Sequence, residues 1–170
     1  MKGERQMRYR KGEHRDLSDI RNIMNYYIHE TTATFDIEEK KVEKVKEWFH
    51  QFQDFPLFVA DKDNEVVGYA SLLPYQKKEA YKHTMELSIY IDPNSHGFGI
   101  GKQLMEMILL EAKKREIHSI IAIITTENEQ SIEFHKRFGF EHKGTLHEVG
   151  FKHGRWLDVS YFQWINNSKK

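Results

Sequence analysis

The chain has no cysteine in its 170 residues, which excludes disulfide stapling, thiol nucleophiles and cysteine zinc sites. It has no apolar stretch near the ~20 residues of a membrane span, and its charged N-terminus has no signal-peptide core. It has no excess of either charge, since Lys plus Arg and Asp plus Glu both total 26. Nothing global therefore draws it to nucleic acid or to a membrane, and a cytoplasmic location is expected. Ten histidines are present, but they are scattered, with no His-x-x-x-His and no His-Glu-x-x-His, so no metal site is expected. There is no internal repeat, linker or low-complexity tract. What is left is one domain, long enough to bury a core. Residues 1–7 are polar and read as a flexible tail, with the domain over residues 8–166.

Hydrophobic spacing orders the elements. Arg8 to Lys11 reads as a short edge strand. Leu17, Ile20, Ile23, Met24, Tyr27 and Ile28 recur at helical spacing, with Asp16 as N-cap and Asp19 in the first turn. Val42, Val45, Trp48 and Phe49 carry a second helix over Ile37 to Phe52, ending before Pro56. Between the two, Thr31 to Phe35 is a polar, β-branched loop with an aromatic tip. Leu57 to Ala60 and Val66 to Leu73 form a hairpin around a turn at Asp61 to Asn64. Lys82 to Asp92 alternates as a strand, and Gly99 to Arg115 follows as a helix. Ser119 to Thr126 is nearly continuous in isoleucine, as a strand covered on both faces would be. A short helix over Asn128 to Phe138 and two strands, Phe140 to Val149 and Trp156 to Trp164, complete the order β-α-α-β-β-β-α-β-α-β-β. That order predicts an α/β mixed sheet with helices on both sides.

The richest segment is Asn94-Ser95-His96-Gly97-Phe98-Gly99-Ile100-Gly101-Lys102, between the strand ending Leu87-Ser88-Ile89-Tyr90-Ile91 and the helix of Leu104, Met105, Ile108, Leu109 and Ala112. Glycines at 97, 99 and 101 let backbone N–H groups turn inward, and the helix start adds unpaired donors and partial positive charge. An anionic diphosphate fits such a cradle; a tight βα turn without a ligand is the competing reading. The Mg²⁺-nucleotide loop Gly-x-x-x-x-Gly-Lys-Ser/Thr is absent, because three residues separate Gly97 from Gly101 and Gln103 follows the lysine. The dinucleotide fingerprint Gly-x-Gly-x-x-Gly is absent as well.

With the element order, this segment resembles the GNAT superfamily of N-acetyltransferases, whose signature is Arg/Gln-x-x-Gly-x-Gly/Ala. Here it reads His96-Gly97-Phe98-Gly99-Ile100-Gly101, with both glycines in place and histidine leading. About 30 residues on, Asn128 to Phe140 resembles the second signature, an Asn opening a helix that ends in Gly-Phe. Thr34-Phe35-Asp36, Ala80 to Tyr90 and Val149 to Val159 are similar to the phosphinothricin and methionine sulfoximine acetyltransferase branch. Two departures concern the acceptor: Gln76 and Lys78 stand where that branch carries arginines, and Leu157 stands where it carries histidine.

The resemblance implies a GNAT-like fold, with a mostly antiparallel twisted sheet of about seven strands, helices on both faces and an acyl-CoA cleft between strands 4 and 5. It implies transfer from acetyl-CoA, without a metal, to the primary amine of a small amino-acid-like acceptor. A protein N-terminus or lysine as acceptor, and a CoA-binding sensor without turnover, are the alternatives. Glu86 is the implied general base, with a structural carboxylate paired to Lys82 or His83 as its other reading. His135 stands where many relatives place the acid that protonates the thiolate; a packed or solvent-facing histidine is the other reading. Backbone at Ile89, Tyr90 and Ile91, the residues His96 to Lys102, and Asn128 would hold the coenzyme, although Asn128 also reads as a helix cap and Lys102 as an exposed helix lysine. Phe35, Gln76, Lys78 and Tyr81 are implied acceptor contacts, with Phe35 and Tyr81 equally readable as core aromatics. Phe151 to Arg155 reads as a hairpin turn flanked by cations, solvated in its plainest form. Relatives that pair through their C-terminal strands imply a homodimer.

Overall fold

The computed structural model describes residues 7–167. Its strands are β1 (Met7–Lys11), β2 (Leu57–Lys62), β3 (Glu65–Pro74), β4 (Thr84–Ile91), β5 (Ser119–Thr125), β6 (Glu141–Lys152) and β7 (Arg155–Ile165). Its helices are α1 (Leu17–Glu30), α2 (Val42–His50), α3 (Ile100–Lys114) and α4 (Glu129–Arg137). The chain order matches the expected one, and the strands form one seven-stranded sheet, β1-β2-β3-β4-β5-β7-β6. β4 and β5 run parallel, whereas β1-β2, β2-β3, β5-β7 and β6-β7 are antiparallel. β1 is an edge strand, as its shortness suggested. It starts at Met7, opposite Lys62; the remainder of the expected tail, residues 1–6, lies outside the described residues.

The chain divides into two compact units. The first takes the chain up to Asn25, Lys40–Leu72 and Ser88–Glu111. Its buried apolar side chains include Ile20, Val45, Val59, Leu72, Ile100, Leu104, Met105 and Ile108, each such burial being worth roughly 1.5–3 kcal/mol. The α3 members recur at 100, 104, 105 and 108, the helical spacing of one apolar face.

Three expectations are corrected in this unit. Asp61 was expected in a turn; it lies instead within β2, fully buried. Its carboxylate accepts from Arg10 at 2.9 Å and from the Asn64 N–H at 2.8 Å. Burial pushes its pKa up, but the Arg10 hydrogen bond, the Asn64 N–H and the charges of Arg8 and Arg10 together leave it lowered. The turn itself needs only Asp63 and Asn64, both left-handed at φ 54° and 71°, the type I′ geometry that matches strand twist. Asp16 does not cap α1. It closes the preceding 3₁₀ turn, His14–Asp16, by accepting from the Glu13 N–H, and it takes both guanidinium nitrogens of Arg10 at 2.7 and 2.9 Å. The second helix starts at Val42, not Ile37, and after His50 tightens into a 3₁₀ turn, Gln51–Gln53. The Asn25 carboxamide accepts from the Lys40 N–H and donates to the Lys40 carbonyl, so the backbone there is committed before a helix can form.

The second unit takes Tyr26–Glu39, Leu73–Leu87 and the chain from Ala112. Register sets its faces. Met85 pairs with Ile120, which pairs with Trp164, and all three are buried. One residue on, Glu86 pairs with Ile121 and Ile121 with Gln163, so these three project from the opposite face. β4 begins at Thr84, two residues later than expected, behind a 3₁₀ turn at Glu79–Tyr81. β6 continues past Val149 to Lys152, because the β6–β7 turn needs only His153 and Gly154, at φ 51° and 75°. α4 ends where Gly139 turns left-handed and the Phe140 N–H returns to the His135 carbonyl.

Candidate active site

The glycine segment lies wholly in the first unit. β4 leaves its ladder when the Asp92 N–H donates to the Val67 carbonyl; Asp92 then accepts from the Asn94 N–H, and its carbonyl accepts from Ser95. His96 is extended and exposed. Gly97 and Gly99 are left-handed, at φ 85° and 73°, and a Cβ on either would meet nothing within 4 Å. These two glycines are therefore required by backbone conformation rather than by crowding. Gly101 is different, since it lies inside α3 and needs no special conformation.

The first intrahelical bond of α3 runs from the Gln103 N–H to the Gly99 carbonyl. The N–H groups of Ile100, Gly101 and Lys102 thus precede the ladder and point out of the helix start, beside the positive end of its dipole. An anion with several oxygens fits this donor set, and open space beside Gly97 and Gly99 admits one. Side chains contribute less. Ile100 is buried core, so only its backbone is on offer. Lys102 is exposed and 3.9 Å from Glu106 one turn on, as an ordinary helix lysine would be. Phe98 is two-thirds exposed, with the Lys62 ammonium 5.3 Å from its ring centre. Ile89, Tyr90 and Ile91 are half-buried on the last turnless stretch of β4, with the Tyr90 ring 5.7 Å from Tyr69.

The remaining candidates lie in the second unit. Glu86 is half-buried, and burial raises its pKa above the ordinary 4.5. Neither Lys82 nor His83 pairs with it: Lys82 instead faces Glu79 at 3.4 Å. Among the described residues no ion pair or hydrogen bond engages the Glu86 carboxylate. A carboxylate kept from water without a structural partner has the reactivity a proton acceptor needs.

His135 is only 3% exposed and sits between the Phe134 and Phe140 rings at 5.5 and 5.3 Å. Its Nδ1 lies 2.7 Å from the Ser131 carbonyl, which can only accept, so the proton is on Nδ1. Burial lowers its pKa against the opposing pull of that bond. A neutral ring with its proton committed has none on Nε2, so the packed reading is the one the geometry favours. Asn128 caps α4: its Oδ1 accepts from the Ser131 N–H at 3.2 Å, leaving the Nδ2 donors for another partner.

Gln76 and Lys78 are exposed, Lys78 just before the Glu79–Tyr81 turn. The Tyr81 ring, 43% exposed, stands edge-on to Tyr75 at 5.9 Å, so it is no core aromatic. Phe35 is also partly exposed, and its ring lies on the backbone of Gly150. Two tyrosines escaped the sequence reading. Tyr161 pairs across β7 with Ile123, two residues beyond Ile121, and thus shares the face of Glu86. Its pKa is raised by burial and then by the charges of Tyr75 and Glu86. Only strand register could have brought Tyr161 to that face.

Residues 151–155 form the expected hairpin turn flanked by cations, and the two cations are engaged rather than merely solvated. Lys152 is 5% exposed and donates to the Thr34 carbonyl at 2.7 Å. Arg155 holds Glu127 through two bonds, 2.6 and 2.8 Å, and Glu127 also takes the Thr32 hydroxyl. Those bonds, Arg155 first, pull the Glu127 pKa down to about 2.

The profile of the acetyltransferase (GNAT) domain matches residues 10–160. The chain belongs to the GNAT acetyltransferase family. It is 34% identical to a phosphinothricin N-acetyltransferase of Streptomyces coelicolor over 96% of this chain and 98% of that one. It is 35% identical to an L-methionine sulfoximine/L-methionine sulfone acetyltransferase of Pseudomonas paraeruginosa, over 87% and 88%. Among solved structures it resembles a phosphinothricin acetyltransferase of Sinorhizobium meliloti in complex with AcCoA, with TM-score 0.91, 29% identity and coverage of 96% and 92%. A ribosomal-protein-alanine N-acetyltransferase of Brucella melitensis matches with TM-score 0.91, 37% identity and coverage of 94% and 99%. The chain is thus an N-acetyltransferase of this family, and the seven-stranded mixed sheet is that family's fold. No helix among the described residues is long and apolar enough to cross a membrane.

Proposed function

We propose that the chain transfers the acetyl group of acetyl-CoA to the primary amine of a small amino-acid-like acceptor, of the phosphinothricin or methionine sulfoximine kind. The observation that carries the chemistry is Glu86, a half-buried carboxylate with a raised pKa and no structural partner among the described residues. The names of the two curated relatives support the acceptor class.

The coenzyme supplies an activated acyl carbon and a leaving thiol. The chain has three tasks. The N–H groups at the start of α3, with the backbone freedom of Gly97 and Gly99, take the diphosphate. Backbone at Ile89 to Ile91 and the Nδ2 of Asn128 hold the pantetheine arm. Glu86 removes a proton from the acceptor nitrogen, directly or through one water. An α-amine titrates near ~8 and a thiol near ~8.5, so each proton transfer needs only modest help near neutral pH: a carboxylate whose pKa burial raises serves as base, and the thiol needs no strong acid. Phe35, Gln76, Lys78 and Tyr81, now with Tyr75 and Tyr161, form the acceptor side. Lys78 is a point charge for an acceptor carboxylate, without the planar fork of arginine.

The same proposal takes residues 8–166 as one catalytic domain, in the cytoplasm, working as a homodimer. β6 is an edge strand, and Leu146, Val149 and Phe151 on it, with Trp156 on β7, are about half exposed or more. An apolar edge of that kind needs cover. Sedimentation should give twice the monomer mass, and a lone monomer at micromolar concentration would remove this part.

A protein N-terminus as acceptor is the second reading, favoured by the Brucella neighbour's name. Thiol release from acetyl-CoA decides, with methionine sulfoximine, methionine sulfone, phosphinothricin, common amino acids, polyamines and short peptides as acceptors. Turnover confined to the small amino-acid-like compounds is expected. Turnover on peptides alone transfers the assignment to a protein substrate, and binding of acetyl-CoA without any turnover leaves a sensor.

A further inference from the structure

The Thr31–Asp36 loop makes no strand or helix, so its backbone groups need other partners. Two N–H groups are held within the loop, Ala33 by the Thr31 hydroxyl and Asp36 by the Thr34 hydroxyl; of its carbonyls, Thr32 accepts from the Thr125 hydroxyl on β5, and Thr31 and Thr34 are met by the β6–β7 hairpin. The Lys152 ammonium donates to the Thr34 carbonyl at 2.7 Å from a buried position. The His153 imidazole stands 3.3 Å from the Thr31 carbonyl. Between these anchors the Phe35 ring rests on Gly150, so closely that a Cβ there would lie 2.2 Å from Cε2 and 2.6 Å from Cζ. Gly150 and Lys152 are two apart on β6, and they engage adjacent loop residues, Phe35 and Thr34. A ring edge and a backbone carbonyl are thus fixed from the same strand, and the ring cannot be where it is unless residue 150 lacks a side chain.

We propose that Gly150 and Lys152 are positioning residues that select the acceptor, by setting how far Phe35 reaches. This rests on the acceptor reading above, in which Phe35 touches the acceptor. The hairpin then acts as a template: the loop carries the contact, and β6 dictates its place. Neither residue need touch the acceptor. The expected signature is a change in acceptor preference with coenzyme handling intact, because the coenzyme's diphosphate donors belong to the α3 turn.

The test compares wild type with Gly150→Ala, Lys152→Met and Lys152→Arg. Hydrogen exchange of the loop amides reads the seating, and steady-state kinetics with acceptors of graded side-chain length read the selection. Gly150→Ala should raise the acceptor KM about tenfold and reorder the acceptors, with the acetyl-CoA KM unchanged, since small displacements at a shape-selecting wall have effects of that order. Lys152→Met should speed exchange at Ala33 and Asp36, and Lys152→Arg, which keeps a donor, should restore most of the protection. Unchanged acceptor ranking in a folded Gly150→Ala protein overturns the inference. So does a uniform loss across all acceptors and acetyl-CoA, which is what a merely structural role predicts. A wild type inactive on every small amine sinks the acceptor reading, and the selection with it. The exchange data still report separately whether β6 seats the loop.

Discussion

The glycine turn and the Thr31–Asp36 loop both hold irregular backbone in one shape, and they do so by opposite means. The turn is local: Asp92 satisfies Asn94 and Ser95 within three residues, and two left-handed glycines finish it. It leaves its N–H groups facing outward, so the diphosphate binding proposed for it would belong to the backbone. The loop closes two short turns with its own Thr31 and Thr34 hydroxyls, but its carbonyls are held from afar, by Lys152 across 118 positions of sequence and by the Thr125 hydroxyl across 93. Its exposed tip, Phe35, would work by its side chain in the acceptor role proposed for it. A backbone site tolerates change in its neighbours, such as His96 at the head of the signature, but not in its glycines. A side-chain site tolerates change in the loop sequence as long as its distant anchors stay.

The largest expected effect tests the first half of this contrast. In Gly99→Val a β-branched residue must adopt φ near 73°, a conformation that such residues strongly resist. Nothing stands within 4 Å of the new Cβ and the turn is exposed, so the strain should be relieved by the turn taking another shape while the rest of the fold survives. Calorimetric titration with CoA should show affinity lowered about 100-fold or more, equivalent to ~2.7 kcal/mol. Retained affinity would mean that the turn is only a turn.

Glu86→Gln comes next. It should lower kcat about 100-fold, within the usual range for a general base, with CoA affinity unchanged. The sign of the pH dependence follows from burial. Glu86 accepts a proton only when ionised, and its pKa lies above 4.5. Turnover should therefore fall as pH drops, with a midpoint above the ordinary glutamate value, and the Gln variant should lose that limb of the kcat profile. A Gln variant with the wild-type rate and profile would take Glu86 out of the chemistry.

The same contrast explains what could be read from the sequence. Element order, the edge character of β1, the apolar face of α3 and the Asn128 cap all follow from spacing within a few residues, and they were legible. Ile37 reads as helical because its spacing allows it; Asn25 overrides that by binding Lys40 across 15 positions. Asp61 reads as a turn former until Arg10, 51 positions away, makes it a buried ion-pair partner. Lys152 and Arg155 read only as cations flanking a hairpin turn, and their acceptors are not legible for the same reason, since they lie on other elements. Tyr161 reaches the face of Glu86 only through the registers of β4 with β5 and β5 with β7. Glu86 itself was found through resemblance, and its lack of a partner is visible only in three dimensions.

A smaller effect separates two duties of one residue. Asn128 caps α4 through Oδ1 and is assigned to the coenzyme through Nδ2. Asn128→Ala removes both, at a cost to stability of ~1 kcal/mol. Asn128→Asp keeps the cap acceptor and loses the donors, so its melting temperature should match wild type while CoA affinity falls about fivefold, the worth of one modest hydrogen bond. If both variants bind CoA like wild type, Asn128 is a cap alone.

The smallest effect is expected at Lys102, and its smallness is informative. The lysine lies at the head of α3, where a bound diphosphate would be near, yet it is exposed and 3.9 Å from Glu106. Exposed i,i+4 pairs are worth ~0.3–0.5 kcal/mol, so Lys102→Met should leave the melting temperature nearly unchanged. If the backbone N–H groups carry the phosphate, CoA affinity should drop no more than about threefold, and the drop should shrink further in high salt as exposed charge is screened. A loss comparable to that of Gly99→Val would shift the weight of the site from backbone to side chain, and the turn would then differ from the Thr31–Asp36 loop in location rather than in kind.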